Sequence, residues 1–94
     1  VALQIIWTDE AKEEFRQTVA YLLDAFGDEV TEKHTDKLYH TLETLSQMPF
    51  IGKRHAEVPA IRQQVVRPYT VVCYTVVEEF LVVVNLKDSR KGGR

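Results

Sequence analysis

The hydrophobic period of this 94-residue chain changes once, at Met48-Pro49-Phe50-Ile51-Gly52. Before that point the inward positions recur at helical spacing. One stripe runs Ala11, Phe15, Val19, Leu22 and Phe26; a second runs Val30, His34, Leu38, Leu42 and Leu45. After it, Ile61–Arg67, Tyr69–Val77 and Phe80–Leu86 are rich in Val, Thr and Tyr and lack that spacing, which predicts three strands. Pro49 disfavours helical geometry at Met48 and so separates the two regimes.

Leu3–Trp7 is short and mostly apolar, and reads as a strand running into a helix. Thr8 can cap that helix, with Asp9 and Glu10 where the helix dipole favours negative charge. Gly27 supplies a stop and Asp28 a cap for the next helix, about 28–47. So short a link forces an antiparallel helical hairpin. Tight turns are expected at Pro68 and at Glu78-Glu79, although two glutamates suit a two-residue primed turn poorly and predict a longer loop. The order is β-α-α-β-β-β. It describes an α+β domain, residues 1–94, with a helical hairpin on one face of a mainly antiparallel four-stranded sheet and a fraying polar tail over 87–94.

Two helices cover only one face of a sheet. Phe80-Leu81-Val82-Val83-Val84 is apolar on both. Part of this fits a central strand; the rest fits a surface covered by a partner or by self-association, or a sheet that curls to shield itself.

Bulk features bound the class. No apolar run exceeds five residues, so no membrane span is expected. The start of the sequence has no basic leader, one cysteine forms no internal disulfide, and three histidines lack metal-ligand spacing. The expectation is a cytosolic protein without metal or cofactor. Charge is sorted by half. Residues 1–47 carry ten acidic and four basic side chains, whereas 48–94 carry four acidic and eight basic. The basic half suggests a site for something negative. Its candidates are Lys53, Arg54, Arg62, Arg67, Lys87 and Arg90, with Tyr69 and His55 among them.

The order of these residues resembles the RelE/ParE superfamily of bacterial type II toxins. The resemblance rests on Trp7-Thr8-x-x-Ala11, on Leu45-x-x-Met48-Pro49-x-x-Gly52-Lys53-Arg54, on Arg62 with Arg67-Pro68-Tyr69-Thr70-Val71-Val72-Cys73-Tyr74, and on Leu86-Lys87-Asp88-Ser89-Arg90. It covers nearly the whole chain. It implies a growth inhibitor silenced by a cognate antitoxin that wraps a helix and an extended segment around it. The two main branches act on messenger RNA in the ribosome or on DNA gyrase.

Metal-free RNA cleavage needs a base, an acid and positive charge at one phosphate. Arg54, Arg62 and Arg90 could supply charge, and His55 or Tyr69 proton transfer. Against this, no tyrosine or histidine stands near the end of the sequence, where the nuclease branch commonly has one, and the net charge is −2. The preferred expectation is a gyrase poison that needs a surface, not a catalytic constellation. The alternatives are the ribosome-dependent endoribonuclease and a non-toxic interaction module.

Each candidate also has a plain structural role open to it. Arg62 and Arg67 can face water or pair with acids. Lys53 and Arg54 follow a glycine turn and suit antitoxin or target contact equally. His55 can be an inert imidazole, His34 a satisfied half-buried histidine and Cys73 a small hydrophobe. Trp7, Phe15, Leu22, Leu38, Leu42 and Leu45 are expected in the core. Parity places Tyr69 and Tyr74 on opposite faces, one in the core and one open.

Overall fold

The structure, a computed structural model, describes residues 2–88. Its elements are β1 (Gln4–Trp7), α1 (Asp9–Phe26), α2 (Asp28–Gln47), β2 (Lys53–Arg54), β3 (Arg62–Val66), β4 (Thr70–Val77) and β5 (Phe80–Asp88). They form two helices on a five-stranded sheet of order β1-β5-β4-β3-β2. β1 runs parallel to β5, and the other pairs are antiparallel. The expected α+β fold is therefore present, with one strand more than the four expected. That strand, β2, has two residues, too few for any periodicity to show in sequence.

Thr8 joins strand, helix and sheet. Its hydroxyl accepts from the Ala11 N–H (3.1 Å) and donates to the Val84 carbonyl (2.9 Å). Val84 is the extra residue of a bulge, because Cys73 pairs with Asn85 and Tyr74 with Val83. The bulge returns Leu86 to the helix-covered side. Beyond the end of β1 the β5 edge would be bare, but the Glu14 carboxylate accepts the Leu86 N–H (2.8 Å) and covers it.

The link between helices departs from expectation. Gly27, at φ 88°, both ends α1 and precedes α2, and no side chain caps α2, so Asp28 belongs to the first turn. The Thr31 hydroxyl instead donates to the Gly27 carbonyl (2.8 Å). Glu78-Glu79 is a two-residue turn after all, since Val77 pairs with Phe80, and Glu78 takes a φ of 55°. Two residues of the expected fraying tail are in a strand, and its remainder, 89–94, lies outside the described residues. Lys87 and Asp88 belong to β5, because they pair with Val71 and Thr70.

One face of the sheet holds Val66, Val72, Tyr74, Leu81, Val83 and Leu86, packed under Ala11, Leu38, Leu42 and Leu45. Each fully buried leucine contributes about 2–3 kcal/mol relative to exposure. Trp7 and Phe15 are half-buried at the margin of this core, not within it. The other face carries Ile6, Val65, Val71, Thr75, Val77, Phe80 and Val82 by register. Ile6, Val65 and Val77 are 40–50% exposed, so the second apolar face is open among the described residues.

His34 ties α2 to β4. Its Nε2 lies 2.8 Å from the Thr70 hydroxyl, Tyr69 packs edge-on against the ring, and buried Nδ1 has no partner among the described residues. Burial, aided by the Lys37 ammonium, pushes the imidazole below its ordinary value. The unfolded chain then binds the proton more readily, so stability is full above about pH 6.5 and falls as pH drops toward the folded value. Thermal unfolding across pH 7 to 5 should show this loss. A His34→Gln variant, which keeps a bond to Thr70, should show a flatter profile.

Candidate functional site

The connector Met48–Gly52 is short, apolar and pinned from below. Tyr74, fully buried, donates its hydroxyl to the Pro49 carbonyl (2.7 Å) and accepts from the Gly52 N–H (3.1 Å). Burial pushes this phenol above its ordinary value, so it holds its proton for the donated bond. The Arg62 Nη1 donates to the carbonyls of Phe50 (3.1 Å) and Gly52 (2.8 Å). Gly52 is required here, since a Cβ would sit 2.9 Å from a Tyr74 ring carbon and closer still to its hydroxyl.

With its backbone bonded inward, the connector turns its side chains outward. Met48, Phe50 and Ile51 are 52%, 67% and 54% exposed. The Arg62 guanidinium lies 5.3 Å from the centre of the Phe50 ring. Beside it opens a cavity of about 380 Å³ lined by Phe50, Arg54, Pro59, Ala60, Arg62 and Val76.

The far wall of that cavity is the loop 55–61, which His55 closes. Its Nδ1 accepts the N–H groups of Glu57 and Val58 (both 3.1 Å), and its backbone N–H donates to the Ile61 carbonyl (2.8 Å). Nε2 is left to carry the ring proton. Thr75 ties the same loop to β4 through the Ala60 carbonyl (2.8 Å).

The predicted site residues fall into two groups. Lys53, Arg54, His55 and Arg62 lie together, with Arg54 directly across from Arg62 in the β2–β3 pair. Arg67 and Tyr69 lie at the other end of β3, five residues or about 17 Å away. Lys87 pairs with Val71 near that second end, and Arg90 lies outside the described residues. Tyr69 is half-buried between Phe26 and His34, with ring centres 5.5 and 5.2 Å away. The Arg67 carbonyl accepts from Lys37 (3.1 Å). Among the described residues no cluster of His, Cys, Asp and Glu could hold a metal ion. Phe50 and Ile51 were not singled out by sequence reasoning; the signal was two large apolar residues between a proline and a glycine, in a connector too short to bury them.

The family model described as ParE toxin of type II toxin-antitoxin system, parDE, matches residues 5–91. The chain belongs to this ParE toxin family. Comparison with curated proteins gives no match. Among solved structures, this ParE-family chain is similar to one titled the chromosomal ParDE TA system from P. aeruginosa. The TM-score is 0.78 at 16% identity, covering 93% of this chain and 96% of the other. It is also similar to the toxin-antitoxin complex RelBE2 from Mycobacterium tuberculosis (0.65, 15%, 94% and 99%) and to the YoeB dimer from Staphylococcus aureus (0.67, 15%, 93% and 97%). At such identities the likeness is one of fold.

Proposed function

We propose that this chain is a ParE-like growth inhibitor that acts on DNA gyrase by docking, not by catalysis, and is neutralised by a cognate antitoxin. One observation carries the choice: three of the candidate proton-transfer and phosphate-binding groups at the connector hold backbone. His55 Nδ1 is occupied by two N–H groups, the Tyr74 hydroxyl by two partners, and Arg62 by two carbonyls. What remains outward is an apolar tip flanked by Lys53 and Arg54, which suits a protein surface with acidic residues at its rim. The open sheet face and the toxin–antitoxin complexes among similar folds support an antitoxin partner.

A supercoiling assay with purified gyrase tests the proposal. Inhibition is expected at stoichiometric protein, with cleaved DNA accumulating. Unimpaired supercoiling at excess folded protein, together with discrete cuts in messenger RNA on translating ribosomes, would replace it with the nuclease reading around Arg54 and Arg62.

A further inference from the structure

We infer that the cavity between the connector and the loop 55–61 is a binding site for a small carboxylic acid with a flat apolar body. The inference stands apart from the choice of target. It begins with two like charges. Arg54 and Arg62 face each other directly across the β2–β3 pair. Like charges so placed work against the pairing of their strands. Neither guanidinium has an acidic partner among the described residues. An anion set between them replaces that repulsion with two attractions.

Arg62 is held ready for such a ligand. Two of its five N–H groups, both on Nη1, are donated to the carbonyls of Phe50 and Gly52. The other three, on Nε and Nη2, have no partner among the described residues. Those two nitrogens form the side edge of the guanidinium, whose parallel donors match the two oxygens of a carboxylate. The bonds through Nη1 and the Phe50 ring, 5.3 Å away, restrict the side chain before any ligand arrives.

The walls select the rest of the ligand. Phe50, Pro59, Ala60 and Val76 are apolar, and among the described residues no acid or lysine lines the cavity. Tyr74 and Thr75 line it too, but their hydroxyl protons are already donated, to the carbonyls of Pro49 and Ala60. Strand alternation turns Lys53 to the opposite face of β2. Phosphate has more oxygens to satisfy than one guanidinium edge serves, and apolar walls strip its water without return. A carboxylate needs only the edge, and an apolar body gains from the walls. Both walls are preformed, the connector by its bonds to Tyr74 and the loop by those to His55 and Thr75. A volume of about 380 Å³ lies at the small end of ligand sites, roughly 300–1,000 Å³, and suits one or two rings.

The test uses the full chain and four probes: 2-naphthoate, its uncharged amide, acetate and inorganic phosphate. Nuclear magnetic resonance reads binding at the amides of Ala60, Thr75 and Val76 and at the Arg62 Nε–H. 2-Naphthoate should shift all four signals. The amide lacks the charge and acetate lacks the body, so each should bind at least about tenfold more weakly, as should phosphate. Arg54→Ala should weaken 2-naphthoate about fivefold, and Ala60→Trp should block it by filling the cavity. Both positions are exposed, so the circular dichroism should not change. Unshifted signals at millimolar 2-naphthoate would overturn the inference. So would equal binding of the acid and its amide, phosphate binding as tightly as 2-naphthoate, shifts centred on Trp7 and Tyr39 instead, or unchanged affinity in both variants.

Discussion

Gly52→Ala is expected to lower stability by about 3 kcal/mol and the unfolding midpoint by more than about 10 °C. The added methyl meets the Tyr74 hydroxyl and ring edge and the Gln63 carbonyl at 3.0 Å, and a fully buried tyrosine has nowhere to retreat. Overpacking of this kind costs about 1–3 kcal/mol. Displacing the hydroxyl also loosens its bonds to Pro49 and Gly52, at about 1 kcal/mol each. Tyr74→Phe alone should cost about 1–2 kcal/mol, because the two backbone groups lose their partner. The decisive measurement is the double-mutant cycle. Without the hydroxyl the methyl meets less, so the double variant should be more stable than the two single losses predict. Additive losses in urea unfolding would show that the hydroxyl is not what Gly52 accommodates.

That contact also marks the limit of what was legible. The two helices were readable because each stripe persists for four or five turns, and the Thr8 cap because its spacing to Ala11 is local. β3, β4 and β5 were readable as β-branched runs bounded by turn residues. Strand order was not, since nothing within Leu3–Trp7 says which strand it will join. Its parallel pairing with β5 is a long-range choice fixed by where the hairpin leaves and re-enters the sheet. The turn at Glu78-Glu79 was placed correctly but expected to be longer, because propensity argued against a left-handed glutamate and the flanking strands overrode it.

The site was legible in composition more than in role. Lys53, Arg54 and Arg62 were found as charges, and β2 and β3 do bring them together. Sequence reasoning offered Arg62 water, an ion pair or a target; the structure gives it two carbonyls of the connector. His55 likewise was weighed as inert or catalytic, and its Nδ1 braces a loop, a role neither reading included. Such roles depend on backbone acceptors, which carry no side-chain identity and leave no trace in a pattern of residues. Trp7 was assigned to the core on hydrophobicity alone, whereas its place at the end of an edge strand leaves it half-exposed beside a groove.

The second large effect expected is functional. Phe50→Asp with Ile51→Asp should abolish growth inhibition while changing stability by no more than about 0.5 kcal/mol. Both side chains are more than half exposed, and the backbone beneath them is held by Tyr74 and Arg62, so the fold loses little from their replacement. A docking surface, by contrast, concentrates its energy in a few preorganised apolar residues, each worth about 2 kcal/mol or more on truncation. Two such losses weaken binding by about a thousandfold, before the repulsion of new carboxylates by an acidic rim is added. Arg54→Ala should weaken binding less, and its effect should shrink as salt rises, because an exposed cation at a rim acts through screened charge. Gyrase inhibition titrated for the two variants and the unmodified protein, beside their urea unfolding curves, separates the two contributions. A Phe50→Asp/Ile51→Asp protein that inhibits at the unmodified protein's concentration would move the docking surface away from the connector, and leave the cavity between Arg54 and Arg62 as the feature to explain.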